Sequence, residues 1–474
     1  MNRTIVPFLA VLLITVGCST VQDAREAQRE LAPAGESAPA PVSATLDLRG
    51  FSLEKLVGFA MTNRPSVVAA RYAVDDARLA LRQLAADAPV VSDTPWTAPK
   101  ISASAGHTET SRGTKLEDHA FGTDGRASAG LSLDLLLWDF GRYEARAKAQ
   151  AQRVVAAELT LVNEGFAVFG EVADAYFTMM ESRALLQVSF TNIAQFSAHL
   201  AQAEARLEAG AANRLDVLRA RLDLARAREA SVAASNAYST AGAELMRALG
   251  VDAARGTFDD AFGDPGGDLS CVVRHLPPTR MTVAEAFSLA CTNAPSLNIA
   301  RARLRAASGD VDAAVADLLP SVSISLSFSW ADPLWYWSWG VSAVQSLFQG
   351  CRKTTAVDRA VVAMRQAAAA VDETEQNLSA NIERAVAVRD NALEAQRTAR
   401  ASVRSARENL EMVEAQCAVG DVDRIELSDS ISGYSEALGS RVSAFYTGQR
   451  AEAALYALLG RYPVFTEERL EEQK

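Results

Sequence analysis

Ser321-Val322-Ser323-Ile324-Ser325-Leu326-Ser327-Phe328-Ser329-Trp330 alternates without exception between hydroxyl and apolar side chains. Successive residues of a strand point to opposite faces, so this stretch predicts a strand that is wholly apolar on one face and wholly hydroxylated on the other. Asp332-Pro333 supplies a turn, after which Trp335, Trp337, Trp339, Val341 and Ala343 alternate with Tyr336, Ser338, Gly340 and Ser342. The result is a hairpin over 320–348. Apolar and small polar residues alternating over about ten positions is the pattern of a membrane β-barrel strand, with lipid outside and water inside. Trp330, Trp335, Tyr336, Trp337 and Trp339 cluster beside the turn, where an interfacial aromatic belt is expected.

The same plan occurs earlier in the chain. Ile101, Ala103 and Ala105, then Ala127, Ala129, Leu131 and Leu133, keep a period of two and predict a weaker hairpin over 100–138. Taken alone, that pair would serve equally as a half-buried hairpin of a soluble sheet. Around the hairpins the matches are close: Asn63-Arg64-Pro65 recurs as Asn293-Ala294-Pro295, Arg142 as Arg352, Gly210 as Gly420, and Leu249-Gly250 as Leu459-Gly460. A duplication of this length is too long for a solenoid repeat and points to two halves of one body. The expected division is a first repeat at 50–252, an inter-repeat linker at 253–280, a second repeat at 281–462 and a charged tail at 463–474.

Long helices connect these parts. All 15 prolines lie outside 100–264 and 334–462, which leaves both windows free to be helical. Residues 142–207 and 352–416 are rich in Ala, Glu, Gln and Arg, and each reads as one helix running to a tip at Gly210 or Gly420. At about 1.5 Å per residue each is roughly 100 Å long. Shorter helices are expected at 66–88 and 213–249, and again at 296–318 and 425–459. In each half the two short helices together match the long one, so they are expected to stack end to end beside it.

The N-terminus reads as a targeting segment. Residues 1–17 carry Arg3 and an apolar run that is too short to span a bilayer, as a secretory signal does. Thr15-Val16-Gly17-Cys18 resembles a bacterial lipobox, which makes Cys18 the candidate lipidation site; Thr15 departs from the usual leucine, and an ordinary signal peptide would leave Cys18 incidental. Residues 18–49 then form a tether rich in Ala, Pro, Ser and Glu. Beyond residue 18 no apolar run approaches the ~20 residues of a membrane helix, so any crossing must use strands. A net charge of −11 argues against nucleic acid as a partner.

Four strands per chain cannot close a barrel, since bacterial barrels have at least about eight. Open strand edges do not survive in hydrocarbon, so other copies of the chain must pair them. Three copies give a twelve-stranded barrel, and a homotrimer is expected.

Several motifs coincide in order with one family. The Asn-x-Pro placed within a helix after Ser52-Leu53-Glu54 and after Thr282-Val283-Ala284-Glu285, the strand-leading Leu319-Pro320-Ser321, and the helix-opening Phe140-Gly141-Arg142 are four of them. The tip Glu208-Ala209-Gly210 followed by Arg214-Leu215-Asp216-Val217-Leu218, and the closing Leu249-Gly250, complete the set. Together they resemble the TolC-like outer-membrane efflux family, in its lipoprotein branch, over about residues 50–462. The resemblance implies a mainly α fold with a transmembrane β-barrel: a trimeric α-helical barrel continued by a twelve-stranded β-barrel, internally duplicated. It further implies outer-membrane lipid around the barrel, a helical barrel in the periplasm, and service as the exit duct of a tripartite efflux or type I secretion system. The implied partners are a periplasmic adaptor and an inner-membrane pump. Two departures stand out: Ala418-Val419-Gly420-Asp421-Val422-Asp423-Arg424-Ile425-Glu426 at the second tip, and Cys351 inside the second helix opening.

Site candidates follow from these parts. Glu426 and Asp429 lie three residues apart on one helix face, while the equivalent first-repeat positions are Asp216 and Arg219. The resemblance implies that such acids ring the lumen near a closed periplasmic end, forming a gate; two solvated surface acids are the simpler account. Gly210, Arg214, Leu215, Asp216, Val217 and Leu218, with Gly420, Arg424 and Ile425, are the expected adaptor-docking tips, and turn and capping chemistry is their plainer role. Cys271 and Cys291 flank the repeat junction and are free to form a disulfide, whereas Cys351 and Cys417 stand at opposite ends of one helix and cannot meet. Nothing reads as catalytic, as cofactor-binding or as a metal site: His107, His119, His199 and His275 are scattered without ligand spacing. A periplasmic adaptor or a structural coiled-coil lipoprotein would also use long helices. The first lacks its expected soluble β-domain here, and the second does not explain the alternating strands.

Overall fold

In the computed structural model the described residues are 52–90, 100–111, 123–209, 213–251, 276–331, 334–419 and 424–463. All of them lie in one unit, Gly50–Val251 with Ser270–Lys474. The signal segment, Cys18, the tether, the tips Gly210 and Gly420, Cys271 and the charged tail fall outside the described residues. The elements run α1 (Leu53–Asn63), α2 (Pro65–Ala85), β1 (Lys100–Ser111), β2 (Thr123–Trp138), α3 (Arg142–Glu208) and α4 (Arg214–Ala248) in the first repeat. The second repeat follows the same order with α5 (Val283–Asn293), α6 (Pro295–Ala316), β3 (Ser321–Ala331), β4 (Leu334–Val344), α7 (Arg352–Val419) and α8 (Arg424–Leu458).

The Asn-x-Pro motif breaks a helix instead of lying within one. Arg64 (φ −72°, ψ 127°) and Ala294 (φ −60°, ψ 120°) are extended, and Pro65 and Pro295 open the next helix. A residue before proline is pushed out of the helical region by the ring, and proline itself is preorganised for the first helical position, so the two residues end one helix and begin another. The short helix before the second break opens on a reciprocal cap. Thr282 Oγ1 accepts from the Glu285 N–H (3.4 Å) while the Glu285 carboxylate accepts from the Thr282 N–H (2.9 Å). The backbone N–H of Thr282, and then its side chain, hold the Glu285 carboxyl below its usual range.

Each break receives the far end of its own repeat. Gly250 (φ +73°) closes α4, and a Cβ placed there would lie 3.1 Å from Arg64 Cα. Gly460 (φ +64°) closes α8, and a Cβ there would lie 2.7 Å from the carbonyl oxygen of Asn293. Only glycine takes a left-handed conformation with so little room. The two duplicated motifs that stand farthest apart along each repeat are therefore one contact in space. It brings α2 and α4 to the same junction, and likewise α6 and α8, as the end-to-end arrangement requires.

Packing follows from this. The 67-residue α3 carries α1, α2 and α4, and also meets α6 and α8; the 68-residue α7 packs against α5, α6 and α8. Thus α6 and α8 both pack between the two long helices. Small residues permit close approach: a Cβ on Gly309 of α6 would stand 3.0 Å from Ala149 Cβ and 3.2 Å from the Ala145 carbonyl on α3. Ion pairs reinforce the seam between repeats, with Arg142 and Arg146 of α3 converging on Asp317 (3.2 and 3.1 Å) and Arg153 meeting Asp310 at 2.5 Å. Arg450 of α8 reaches both Glu181 (2.9 Å) and Thr178 Oγ1 (2.9 Å) on α3. A core of Ala286, Ala290, Ala294, Leu297, Leu378, Ile382, Val386, Leu455 and Leu459 surrounds the second break. Tyr462, just past α8, stacks on Phe166 of α3 at 4.5 Å between ring centroids and so ties the end of the second repeat to the first.

The helix-opening motif survives its departure. Phe140 and Gly141 have φ of 55° and 86°, and Gly350 and Cys351 repeat this pair with 59° and 60°. Cys351 thus holds the left-handed turn that Gly141 makes in the first repeat, and α7 still opens at Arg352. A non-glycine there costs about 1 kcal/mol.

A crowded glycine seat and an open one give a direct comparison. Gly460→Val is expected to lower stability by at least about 2 kcal/mol, because strain and a backbone clash combine. Gly433→Ala, in α8 with open space at the Cβ position, is expected to be neutral or stabilising by up to about 1 kcal/mol. Thermal melting followed by circular dichroism in detergent checks both; equal melting of the two variants would contradict the packing described.

Candidate functional site

The four strands form one antiparallel sheet in the order β1-β2-β3-β4. The β2–β3 pairing joins the two repeats, and its register sets Ala129, Leu131, Leu133 and Leu135 opposite Trp330, Phe328, Leu326 and Ile324. On β4, Trp335, Trp337, Trp339, Val341 and Ala343 continue the same apolar face. The opposite face is a hydroxyl surface: Ser102 and Ser132 approach to 2.5 Å, Ser327 and Ser338 to 2.7 Å, and Ser323 and Ser342 to 3.0 Å. Within the chain the outer edges of β1 and β4 have no strand partner among the described residues.

The apolar face stands open. Trp335, Trp337 and Trp339 are 57%, 67% and 65% exposed, and Phe328 and Leu326 are also exposed. Trp335 lies 6.0 Å from Trp330 and 5.3 Å from Phe328 between ring centroids, so these three rings pack together. Tyr336, grouped with the belt on sequence, pairs with Ser329 and therefore lies on the hydroxyl face, because odd and even positions of a strand cannot share a face.

At the other end of the helices the two hairpins pack together. Phe196 of α3, Leu224 and Ala227 of α4, Leu410, Val413 and Cys417 of α7, and Leu427 and Ile431 of α8 form one core. Ser428 donates to Asp223 Oδ2 (2.8 Å), joining α8 to α4. On α8 the buried Leu427 and Ser430 face this core while Glu426 and Asp429 are exposed. The two acids thus share an open face, as their spacing predicts.

The expected docking residues divide. Leu215 and Leu218 are 49% and 52% exposed, Ile425 is 45% exposed, and Arg214 is exposed. Val217 is buried against Ala203, Ala220 and Leu200, so it holds the hairpin together and does not face outward. Asp216 is engaged in capping α4, where its carboxylate accepts from the Asn213 N–H (3.1 Å) and completes a capping box. Arg424 begins α8. Cys291 is a free thiol, as are Cys351 and the buried Cys417; Cys271, the expected partner of Cys291, lies outside the described residues.

One polar cluster had no counterpart in the sequence reading. Arg389 of α7 and Gln449, Glu452 and Tyr456 of α8 converge on residues 276–281, just before α5. Arg389 and Glu452 are 6% and 4% exposed. The equivalent first-repeat positions are Met179, Gly242 and Met246 for Arg389, Glu452 and Tyr456, so the only available signal was charge in one copy where the other is apolar.

Comparison with known proteins agrees with this architecture. The family model described as "Outer membrane efflux protein" matches residues 56–251 and 286–461, one segment in each repeat. The curated Protein CyaE of Bordetella pertussis is 30% identical over 238 residues, which cover 48% of this chain and 46% of that protein. The chain therefore spans about half the length of that relative. Among solved structures, CusC superposes with a TM-score of 0.74 at 20% identity, covering 90% of this chain and 95% of that one. The outer membrane protein VceC of Vibrio cholerae gives 0.71 at 17% identity, covering 86% and 96%. The Campylobacter jejuni CmeC outer membrane channel gives 0.72 at 15% identity over 86% and 85%. With the family model matched in both repeats and this fold shared along nearly its whole length, the chain belongs to the outer membrane efflux protein family.

Proposed function

We propose that the chain is the outer-membrane exit duct of a tripartite efflux or type I secretion system, working as a homotrimer. The observation that carries the reading is the sheet. It has one open apolar, tryptophan-bearing face, one hydroxylated face and two edges without a strand partner among the described residues, which suits a third of a barrel whose remaining strands come from two further copies. Three sheets of four strands make a twelve-stranded barrel with lipid outside and a hydroxyl-lined lumen. Below the barrel, α1 to α8 continue into the periplasm as a helical barrel. The duct is passive: an inner-membrane pump supplies the energy, and a periplasmic adaptor joins the two. Cys18 adds a lipid anchor in the outer membrane.

Glu426 and Asp429 serve this duct as its periplasmic gate. Their open face and their place near the hairpin tips support that role, since three copies would set six carboxylates around one axis and attract cations. The tips present Leu215, Leu218 and Ile425 beside Arg214 to the adaptor, while Val217 and Asp216 keep the hairpin in shape for it.

In planar bilayers the purified protein is expected to conduct, and the double variant Glu426→Gln/Asp429→Asn should reduce its preference for cations over anions several-fold. Conductance with unchanged selectivity would remove the gate role alone, whereas a protein that never conducts would count against the duct. Crosslinking in cells separates the tip residues: Leu215→Glu or Leu218→Glu should weaken adaptor crosslinks while the trimer persists. Val217→Glu should instead unfold the hairpin and lower the amount of trimer, and intact adaptor crosslinking in the leucine variants would sink the docking role.

A further inference from the structure

Residues 276–281 enter the second repeat with few ways to satisfy their own backbone. Pro277 and Pro278 have no N–H, and the segment precedes α5 without strand or helix partners of its own. Side chains of α7 and α8 take over that duty. The Leu276 N–H donates to Gln449 Oε1 (2.8 Å), and Tyr456 donates to the Pro277 carbonyl (3.2 Å). Glu452 Oε2 accepts from both the N–H (3.1 Å) and the hydroxyl (2.6 Å) of Thr279. Arg389 Nη1 donates to the carbonyls of Thr279 (2.7 Å) and Met281 (3.1 Å), and its Nε and Nη2 are held by Asp390 Oδ1 (2.9 and 2.8 Å). Gln449, Glu452 and Tyr456 follow one another along a single face of α8, so the helix acts as a rail and Arg389 closes the grip from α7.

One part of the grip is unbalanced. Glu452 is 4% exposed, and its Oε1 is buried without a hydrogen-bond partner among the described residues. Burial pushes its carboxyl above the usual carboxylate range, against the opposing pull of the Thr279 hydrogen bonds and the Arg389 charge; Asp390 adds to the rise. Arg389 and Asp390, both on α7, are the charged groups acting on it, while the inter-repeat segment offers it the Thr279 N–H and hydroxyl. The first repeat has Met179, Gly242 and Met246 where the second has Arg389, Glu452 and Tyr456, so the side chains of this grip have no like counterparts in the first repeat.

We propose that Arg389 and Glu452 are positioning residues that clamp residues 276–281 onto the second repeat, and that the clamp tightens in acid and loosens as pH rises. The sign follows from linkage. A carboxyl raised above its unfolded value contributes stability that is fully present below the unfolded value and is lost as pH rises through the folded one. Glu452 is the clamp carboxyl whose charged form burial disfavours. The device sits at the entry to the second repeat, and it does not depend on what the duct carries or on its conductance.

Hydrogen exchange of the intact detergent-solubilised protein at pH 5 and pH 8, corrected for intrinsic exchange, reads the clamp directly. The peptide spanning 276–281 is expected to be protected several-fold more at pH 5, with little change in the adjoining α5. Glu452→Gln, which keeps an acceptor for Thr279 but cannot titrate, should make that protection independent of pH. A merely structural glutamate would give equal protection at both pH values, and that result in the wild-type protein overturns the proposal, as does a Gln variant that retains the wild-type pH dependence. The wild-type profile decides the matter even if the variant folds poorly. Arg389→Lys provides a second arm: it is expected to lower protection at both pH values while keeping their ratio, and unaltered protection would remove Arg389 from the clamp.

Discussion

The helical framework depends on two glycines closing against two proline breaks. Gly250 meets Arg64 and Gly460 meets Asn293, each at a positive φ that a side chain would make both strained and crowded. Without that approach the end of α4 could not reach the start of α2, nor α8 that of α6, and the long helices α3 and α7 would lack partners over part of their length. A long isolated helix gains little from propensity alone and is stabilised by the face it packs. The glycine contacts are therefore what allow two helices of nearly 70 residues to be covered from end to end by shorter ones.

The second constraint is set by the strands. A sheet with one face of serine and another of tryptophan, leucine and phenylalanine has no satisfactory place in water, where the apolar face would stay exposed. It has one in a bilayer, provided its edges find partners. The β2–β3 pairing shows how the duplication was put to use: the two repeats contribute one hairpin each and are stitched by apolar and hydroxyl rows running across the seam, among them Leu131 with Phe328 and Ser132 with Ser327. The helices below repeat the theme, since ion pairs such as Arg142–Asp317 and Arg450–Glu181 join α3 to the second repeat.

Much of this architecture was legible because it rests on period and punctuation. The alternation from Ser321 onward specified the strands and their faces, and the absence of proline specified the long helices, whose ends fall within a few residues of those expected. What stayed hidden was tertiary. The Asn-x-Pro break was readable in principle from the restriction proline places on its predecessor, yet the surrounding helical pattern masked it. Val217 and Asp216 looked like surface residues of a tip because sequence shows position along a helix, not which neighbour faces it; one is core and the other caps α4. The Arg389–Glu452 cluster joins residues separated by more than a hundred positions from the segment they hold, and only the fold brings them together.

The proposed duct depends on further copies of the chain closing the edges of β1 and β4. Electron microscopy of the full-length protein in detergent or nanodiscs tests it most directly. A threefold, hollow particle is expected, in which β1 of one copy pairs with β4 of the next to close a twelve-stranded barrel. A monomer, or an assembly whose β1 and β4 edges remain unpaired, would contradict it.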